Sequence, residues 1–522
     1  MSTQLIVIII YFAVTVLIGV LSGRKSKGSD SFVGAQMGLL AIVCASTGEW
    51  LGGTATTGVS EYGFNAGISG AWYTIANAVG TMFLGLCFAK LYRSVDSVTV
   101  PGIIQQFFGR KARTVSSALL IFVMLAVGLS QMVAAGKMGV ALVGIDFNVT
   151  CVIFAIIFIV YTLAGGMNAV AATNTLHLFV MYAGAILGVV MVVSKIGGWS
   201  EFTASLHTIE AASVAAEEAA LAAGATAAEA AKEAAKIGGQ NYFGMFSIGG
   251  TKVSSWIIAS LFGACTAQAG IQPVLAAKNV PTAKKACIIT AFVVAPFGIF
   301  TALMGMGAKV LSFNGQLLDV AGNNVVDGKQ ALFTLMMNIP GWAGGLILAS
   351  LLAAILSTVS PIILSAGTMF TKDIYQGVLK KDASDKQILF MGRLTTAISG
   401  VICCVAAMAL VNASAILDLV YAAYSLRGAL FIIILFGIYT KFASSRASIW
   451  SMWCTGIVAI GWVAIKLITG SYLIAGITET YAAAGVAVIA TIVFSLIFKP
   501  SAEEAAEKAE KMAALKAKMA KA

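Results

Sequence analysis

Charge is what this chain has least of. Of its 522 residues only 11% are Asp, Glu, Lys or Arg, where a soluble protein carries about 25%. Hydrophobic residues make up 59% and the mean hydropathy is +0.93. That deficit excludes a water-soluble globular protein. Other absences narrow the class further. There is no CxxC, so the eight cysteines (Cys44, Cys87, Cys151, Cys265, Cys287, Cys403, Cys404, Cys454), set in or at the ends of apolar segments, read as small buried thiols rather than a disulfide framework or zinc site. No HExxH, GxSxG or Walker loop is present, which speaks against an enzyme or an ATP-driven pump. No soluble signalling domain is appended, and no filter sequence repeats as a channel would require.

What is there is a succession of long apolar runs. A spanning helix needs roughly 20 apolar residues. Lipid forces the backbone to satisfy its own hydrogen bonds, and uninterrupted apolar runs do so as helices rather than barrel strands. The expectation is an all-α polytopic membrane protein with thirteen spans, at about 4–22, 38–58, 68–92, 113–143, 148–164, 170–195, 254–276, 285–308, 342–369, 388–411, 415–440, 447–468 and 480–498. Residues 5–22 lack a preceding basic region and a cleavage site, and Arg24, Lys25 and Lys27 follow them, so they read as an uncleaved first span. The net charge of +11 would suit nucleic acid, but Lys and Arg concentrate in alternate links, the positive-inside bias. That excludes nucleic acid as a partner, leaves membrane lipid, and sets the N-terminus outside and the C-terminus inside. Residues 1–498 form one transmembrane domain. An Ala/Glu-rich insertion at 200–250 reads as an external helical hairpin broken near Gly224, and 499–522 as a solvated, charged helical tail in the cytoplasm.

Two stretches carry the chemistry. In "GLLAIVCASTGEWLGGTATTGVSEYG" (38–63), glycines and hydroxyl residues interrupt a span near its centre. Such a break is tolerated only where it lines a cavity, and it is a sequence pointer to a transport site; close packing through small residues is the other reading. In "LAAILSTVSPIILSAG" (352–367), Ala354, Ser357 and Thr358 share one helix face. Two hydroxyls and a freed carbonyl are hard ligands for a small cation, with the broken span supplying the rest. The alternative is that these hydroxyls bond back to carbonyls of their own helix.

These stretches, with "AAILSTVSPIILSAGTMFTKDIY" (353–375), "QPVLAAKNVPTAKKA" (272–286), "LAGGMNAVAATNTLH" (163–177) and "VTVPGIIQQFFGRKAR" (98–113), resemble the sodium:solute symporter family, which includes proline, pantothenate and sugar symporters. The resemblance covers about 4–498. It implies a LeuT-like core of two inverted five-helix repeats (about 38–195 and 254–440) with peripheral spans at 4–22 and 447–498. It implies no cofactor, Na+ as coupling ion and a small organic solute as cargo. It also carries the family's cation ligands onto Ile42, Ala45, Ala354, Ser357 and Thr358. The sequence departs from the family at Thr173, Asn174 and His177, where Thr-Asp and then Gln are usual. Asn174 cannot carry a charge, and His177 offers a protonatable group.

Three ionisable residues fall inside spans: Glu49, Lys137 and Arg427. Each would cost about 2.5–3.5 kcal/mol facing lipid at a helix centre, so they belong in the interior. By resemblance they lie on helices that converge on the solute cavity. One anion against two cations leaves positive charge for a solute carboxylate, with Arg427 as the fork. The other reading is a structural network of Glu49 with Arg427, Lys137 snorkelling, or Asp418 absorbing the surplus. Ser46, Trp50, Gln268 and Tyr424 complete the candidate pocket. The expected function is sodium-coupled symport of an amino acid or carboxylate in the plasma (inner) membrane. A proton-coupled symporter using Glu49 or His177 and, more remotely, a channel remain as rivals. Solute identity, ion stoichiometry and oligomeric state are left open.

Overall fold

A computed structural model describes residues 3–23, 36–95, 97–319, 321–411 and 416–521; the basic cluster Arg24, Lys25 and Lys27 lies outside them. Among the described residues the chain is helical throughout, with two isolated β-bridges and no strand. Among the described residues ten helices are long and apolar enough to cross a membrane, and Thr3–Gly19, Leu39–Trp50 and Phe147–Leu163 are shorter apolar helices. These three fall at the first, second and fifth of the thirteen expected spans.

Local sequence explains where the helices bend. The helical backbone of Phe147–Ile196 is 50 residues long, about 75 Å if straight, far more than one membrane crossing. Yet the Tyr161 hydroxyl donates to Thr173 Oγ1 at 2.5 Å, although twelve residues of straight helix would separate them by about 18 Å. The two halves therefore fold back on each other, as expected for separate spans at 148–164 and 170–195. In Val100–Val143, Gly109 takes φ +78 inside the helical run and breaks it, setting a short capped segment ahead of the span.

Two spans are broken at matching places. The first runs as helix Leu39–Trp50, leaves helical geometry at 51–52, makes a π-turn at Thr54–Gly58 and resumes as Val59–Ala66. The second runs as Gly250–Gly263, breaks at 264–267 and resumes as Gln268–Leu275. The sequence reading anticipated only the first break. Both breaks are buried, as irregular backbone at membrane depth must be. A short parallel bridge from Met37 to Ala277 ties the start of one broken segment to the end of the other, with Met37 N donating to Ala276 O at 2.7 Å.

Helix Gly341–Met369 is buried along almost its whole length and packs against Phe147–Ile196, Val100–Val143 and Leu39–Trp50. Its π-helical continuation, Phe370–Leu379, carries Asp373, fully buried and ion-paired with Arg113 at 2.5 Å. Thr99 Oγ1 also donates to Asp373 at 2.9 Å. The Asp of the "DIY" ending thus pins this helix to the entry of Val100–Val143.

The insertion forms a hairpin of Trp199–Ala222 and Ala227–Ile237, turning at Gly224 (φ +88). Thr226 and Glu229 make a reciprocal capping box at the second helix. Phe202, Leu206 and Ile209 bury against Tyr242, Met306 and Val310, and the Tyr242 hydroxyl donates to Phe64 O at 3.1 Å. The hairpin is thereby fastened beside the end of the first broken span. The tail helix Ala502–Lys521 departs from the solvated-helix expectation: Leu515 is only 8% exposed. Met512, Leu515 and Met519 line a crevice with Cys87, Phe88, Leu91, Ile438 and Tyr439. Cys87 is also the one described cysteine that is exposed rather than wholly or partly buried.

Candidate functional site

The hydroxyl cluster of Gly341–Met369 sits one turn before Pro361. Proline has no N–H, so the carbonyl four residues earlier, that of Ser357, loses its helical partner. Asn174 replaces it: its Nδ2 donates to Ser357 O at 3.2 Å. Ser357 Oγ donates back to Ala354 O at 2.9 Å, the local bonding raised as the alternative reading. Thr358 does not bond within its own helix. Its hydroxyl donates to the carbonyl of Gly48, on the first broken span.

Glycine makes that approach possible. A Cβ on Gly48 would collide with Asn174 Nδ2 and lie 2.6 Å from Ser357 O. One on Gly52 would collide with the Thr358 side chain and lie 2.8 Å from Gln131 Oε1. The break is held from a third helix. Gly53 N donates to Gln131 Oε1 at 2.7 Å, and Gln131 Nε2 donates to Thr54 Oγ1 at 2.7 Å. Ile42 and Ala45 are buried on the same Leu39–Trp50 helix. The carbonyl that meets the Thr358 hydroxyl is Gly48's, three residues past Ala45 and so on the same helix face. The signal for Gly48 and Asn174 was present in the spacing of Pro361 from Ser357 and in the glycines of the break.

The oxygens gathered here, Gly48 O, Ala354 O, Ser357 Oγ and Thr358 Oγ1, are all neutral and hard. A hydroxyl has two acceptor lone pairs and can turn them toward a cation. The set suits a small alkali cation better than a transition metal, which would seek imidazole or thiolate. Among the described residues no cluster of three or more His, Cys, Asp and Glu offers such a site.

A second centre lies further along the same break. Glu49 and Arg427 form an ion pair, Oε1 to Nη1 at 3.1 Å, with both side chains wholly buried. The guanidinium carbon sits 3.4 Å from the ring centroid of Tyr424 and 5.2 Å from that of Trp50. The Tyr424 hydroxyl pairs with that of Tyr73 at 3.1 Å. Ser46 Oγ donates to Gly270 O at 3.1 Å and Thr266 Oγ1 to Arg427 O at 2.6 Å. The ion pair therefore sits between the two broken spans.

Lys137 is not part of this centre. Its ammonium lies 3.7 Å from Asp327, itself about half exposed, and 5.9 Å from the Phe147 ring. It sits near the end of Val100–Val143, where its long stem reaches a half-exposed carboxylate. Asp418 is also engaged elsewhere, with Lys252 at 3.1 Å and Lys466 at 3.9 Å. Gln268 is buried but faces away from the pair: its side chain takes Val100 N at 2.8 Å and gives to Val98 O at 2.9 Å, clamping the loop before Val100–Val143. His177 is buried against Tyr11, to which it is hydrogen-bonded.

From the Asp418 cluster a ladder of rings descends to the pair. Tyr62 packs edge-on to Trp256 (5.3 Å), Trp256 stacks on Tyr421 (4.5 Å), and Tyr421 meets Tyr424 (5.5 Å).

Two interrupted helices meeting at mid-length, with a cluster of neutral oxygens on one side and a buried ion pair on the other, mark a membrane carrier of the broken-helix class rather than an enzyme. The sodium:solute symporter family model matches residues 32–456, and the chain belongs to that family of sodium-coupled carriers. It is 24% identical over 418 residues to the sodium/glucose cotransporter of Vibrio parahaemolyticus, covering 77% of this chain and 74% of that one. It is 25% identical to sodium/glucose cotransporter 1 of Oryctolagus cuniculus, covering 75% of this chain and 61% of the relative's length. The high affinity choline transporter 1 of Homo sapiens is 25% identical, with 76% and 66% covered. Among solved structures, a Na+-coupled sialic acid symporter in its substrate-bound outward-open state superposes with a TM-score of 0.73 at 20% identity, covering 96% of this chain and 99% of that one. That likeness establishes the LeuT-like fold.

Proposed function

We propose that the protein couples the inward sodium gradient to uptake of a small organic solute, an amino acid or carboxylate, by alternating access. Sodium binds among the carbonyls of Leu39–Trp50, at Ala45 and Gly48 with Ile42 a turn behind, and the Ala354, Ser357 and Thr358 oxygens. Solute binds at Glu49 and Arg427 between the breaks, with Ser46, Trp50 and Tyr424 around it. We assign the chain to the plasma (inner) membrane with its N-terminus outside, the 200–250 hairpin outside and the tail in the cytoplasm.

The observation that carries this reading is the contact of Gly48 and Gly52 with Ser357 and Thr358. It joins a broken helix to a hydroxyl pair where both are buried. Cation occupancy there would bridge the two helices and bias the core toward one access state, and differential binding of this kind is what coupling requires. The names of the relatives, glucose and choline transporters, show that solute choice varies within the family.

Counterflow in proteoliposomes tests the proposal. Preloaded unlabelled solute should drive accumulation of labelled solute in sodium and not in potassium, with little response to pH. Uptake that persists without sodium and follows pH would favour proton coupling. Flux without counterflow would indicate a pore.

A further inference from the structure

Moving Lys137 out of the pocket changes its charge balance. With three charges the site had a positive surplus and favoured a plain anion; with Glu49 and Arg427 alone it is neutral. A solute carrying net charge would then leave that charge uncompensated in a wholly buried place, an arrangement that is strongly destabilising.

The ion pair is also half used. Only Oε1 of Glu49 and Nη1 of Arg427 engage each other. Glu49 Oε2 and Arg427 Nε and Nη2 are buried without a hydrogen-bond partner. Buried polar atoms are otherwise almost always paired, and an exception asks for a reason. Here the exceptions are arranged. Nε and Nη2 share one edge of the guanidinium plane and form the side-on fork that takes a carboxylate through two parallel bonds. The free acceptor Oε2 belongs to the carboxylate already in contact with the same guanidinium. The edge faces the second break: a Cβ on Gly263 would come within 3.0 Å of Nε. On the other side, a Cβ on Gly270 would be 3.4 Å from Glu49 Cγ and from Trp50.

We infer that this centre recognises a zwitterionic amino acid, its carboxylate on the Nε/Nη2 fork of Arg427 and its ammonium on Oε2 of Glu49; the assignment rests on the reading of the chain as a sodium-coupled carrier. A ligand with both charged groups on one carbon matches two protein charges already in contact, and the complex stays neutral. Other solute classes match less well. A monocarboxylate satisfies the fork but leaves Oε2 unpaired and adds a net charge. A quaternary ammonium needs open aromatic faces, and the guanidinium already covers Tyr424 and lies over Trp50. A sugar offers only neutral hydroxyls, whose bonds to these groups forgo half of the charge assistance.

The purified protein is tested by thermal unfolding in sodium against the twenty common amino acids, each paired with its des-amino acid and its decarboxylated amine, with glucose and choline alongside. At least one amino acid should raise the unfolding temperature, with half-saturation about tenfold or more below that of both truncated analogues. Arg427→Lys keeps the charge and removes the fork; it should weaken that amino acid by a similar factor while the shift produced by sodium alone persists, which shows that the variant is folded. Truncated analogues binding as well as the amino acid, a response to glucose or choline alone, or unchanged affinity in Arg427→Lys overturns the assignment and leaves the carrier reading intact. Absence of sodium-driven counterflow for every solute removes the carrier reading instead.

Discussion

At the scale of single residues, glycine and proline do as much here as the groups that would hold ligands. Pro361 frees the Ser357 carbonyl, Asn174 takes it up, and Gly48 leaves the space in which both can meet the broken span. Adding one methyl tests this. Gly48→Ala would force Asn174 and Ser357 apart, at a cost of about 1–3 kcal/mol for overpacking. It should lower the unfolding temperature and raise the sodium concentration for half-maximal transport. Gly461→Ala, where a Cβ meets nothing within 4 Å, should change neither. The buried hydroxyls of Ser357 and Thr358 and the ion pair of Glu49 with Arg427 were legible in the sequence because polar groups stand out in apolar runs. The placement of Lys137 was not. A lysine stem is long enough to carry its ammonium from a span to a half-exposed carboxylate, and no periodicity reports which way it turns.

At the scale of elements, apolar length marked the helical, membrane-spanning character of the chain, with ten helices among the described residues long and apolar enough to cross, and the Gly-rich stretch found the first break. The second break, at 264–267, was missed because "GACTAQAG" holds small residues that suit helix packing as well as they suit an interruption. The tail was misjudged for a related reason. Its composition is that of a solvated helix, and only three apolar positions, Met512, Leu515 and Met519, mark the docking face. In the fold, Glu504 accepts from Ser445 N at 2.5 Å, and Lys508 donates to Thr440 O at 3.0 Å and to Ala443 O at 3.3 Å. Burial of a leucine is worth about 1.5–3 kcal/mol. Leu515→Asp should therefore release the tail, seen as faster proteolysis between residues 499 and 522 with the transmembrane body uncut. Equal protection in variant and wild type would show that the polar contacts alone hold it.

At the scale of the whole molecule, the two broken spans place two different chemistries side by side. Neutral oxygens face Gly341–Met369, and a neutralised ion pair lies between the breaks. The ring ladder from Tyr62 through Trp256 and Tyr421 spans the distance from that pair to the Asp418–Lys252–Lys466 cluster. The proposed coupling of ion to solute depends on the first chemistry above all. Equilibrium binding of radioactive sodium to the purified protein, wild type against the Ser357→Ala/Thr358→Ala double variant, tests it most directly. The account predicts saturable sodium binding that weakens about tenfold or more in the double variant, a loss of about 1.4 kcal/mol or more. Sodium binding of wild-type strength in the double variant would contradict it.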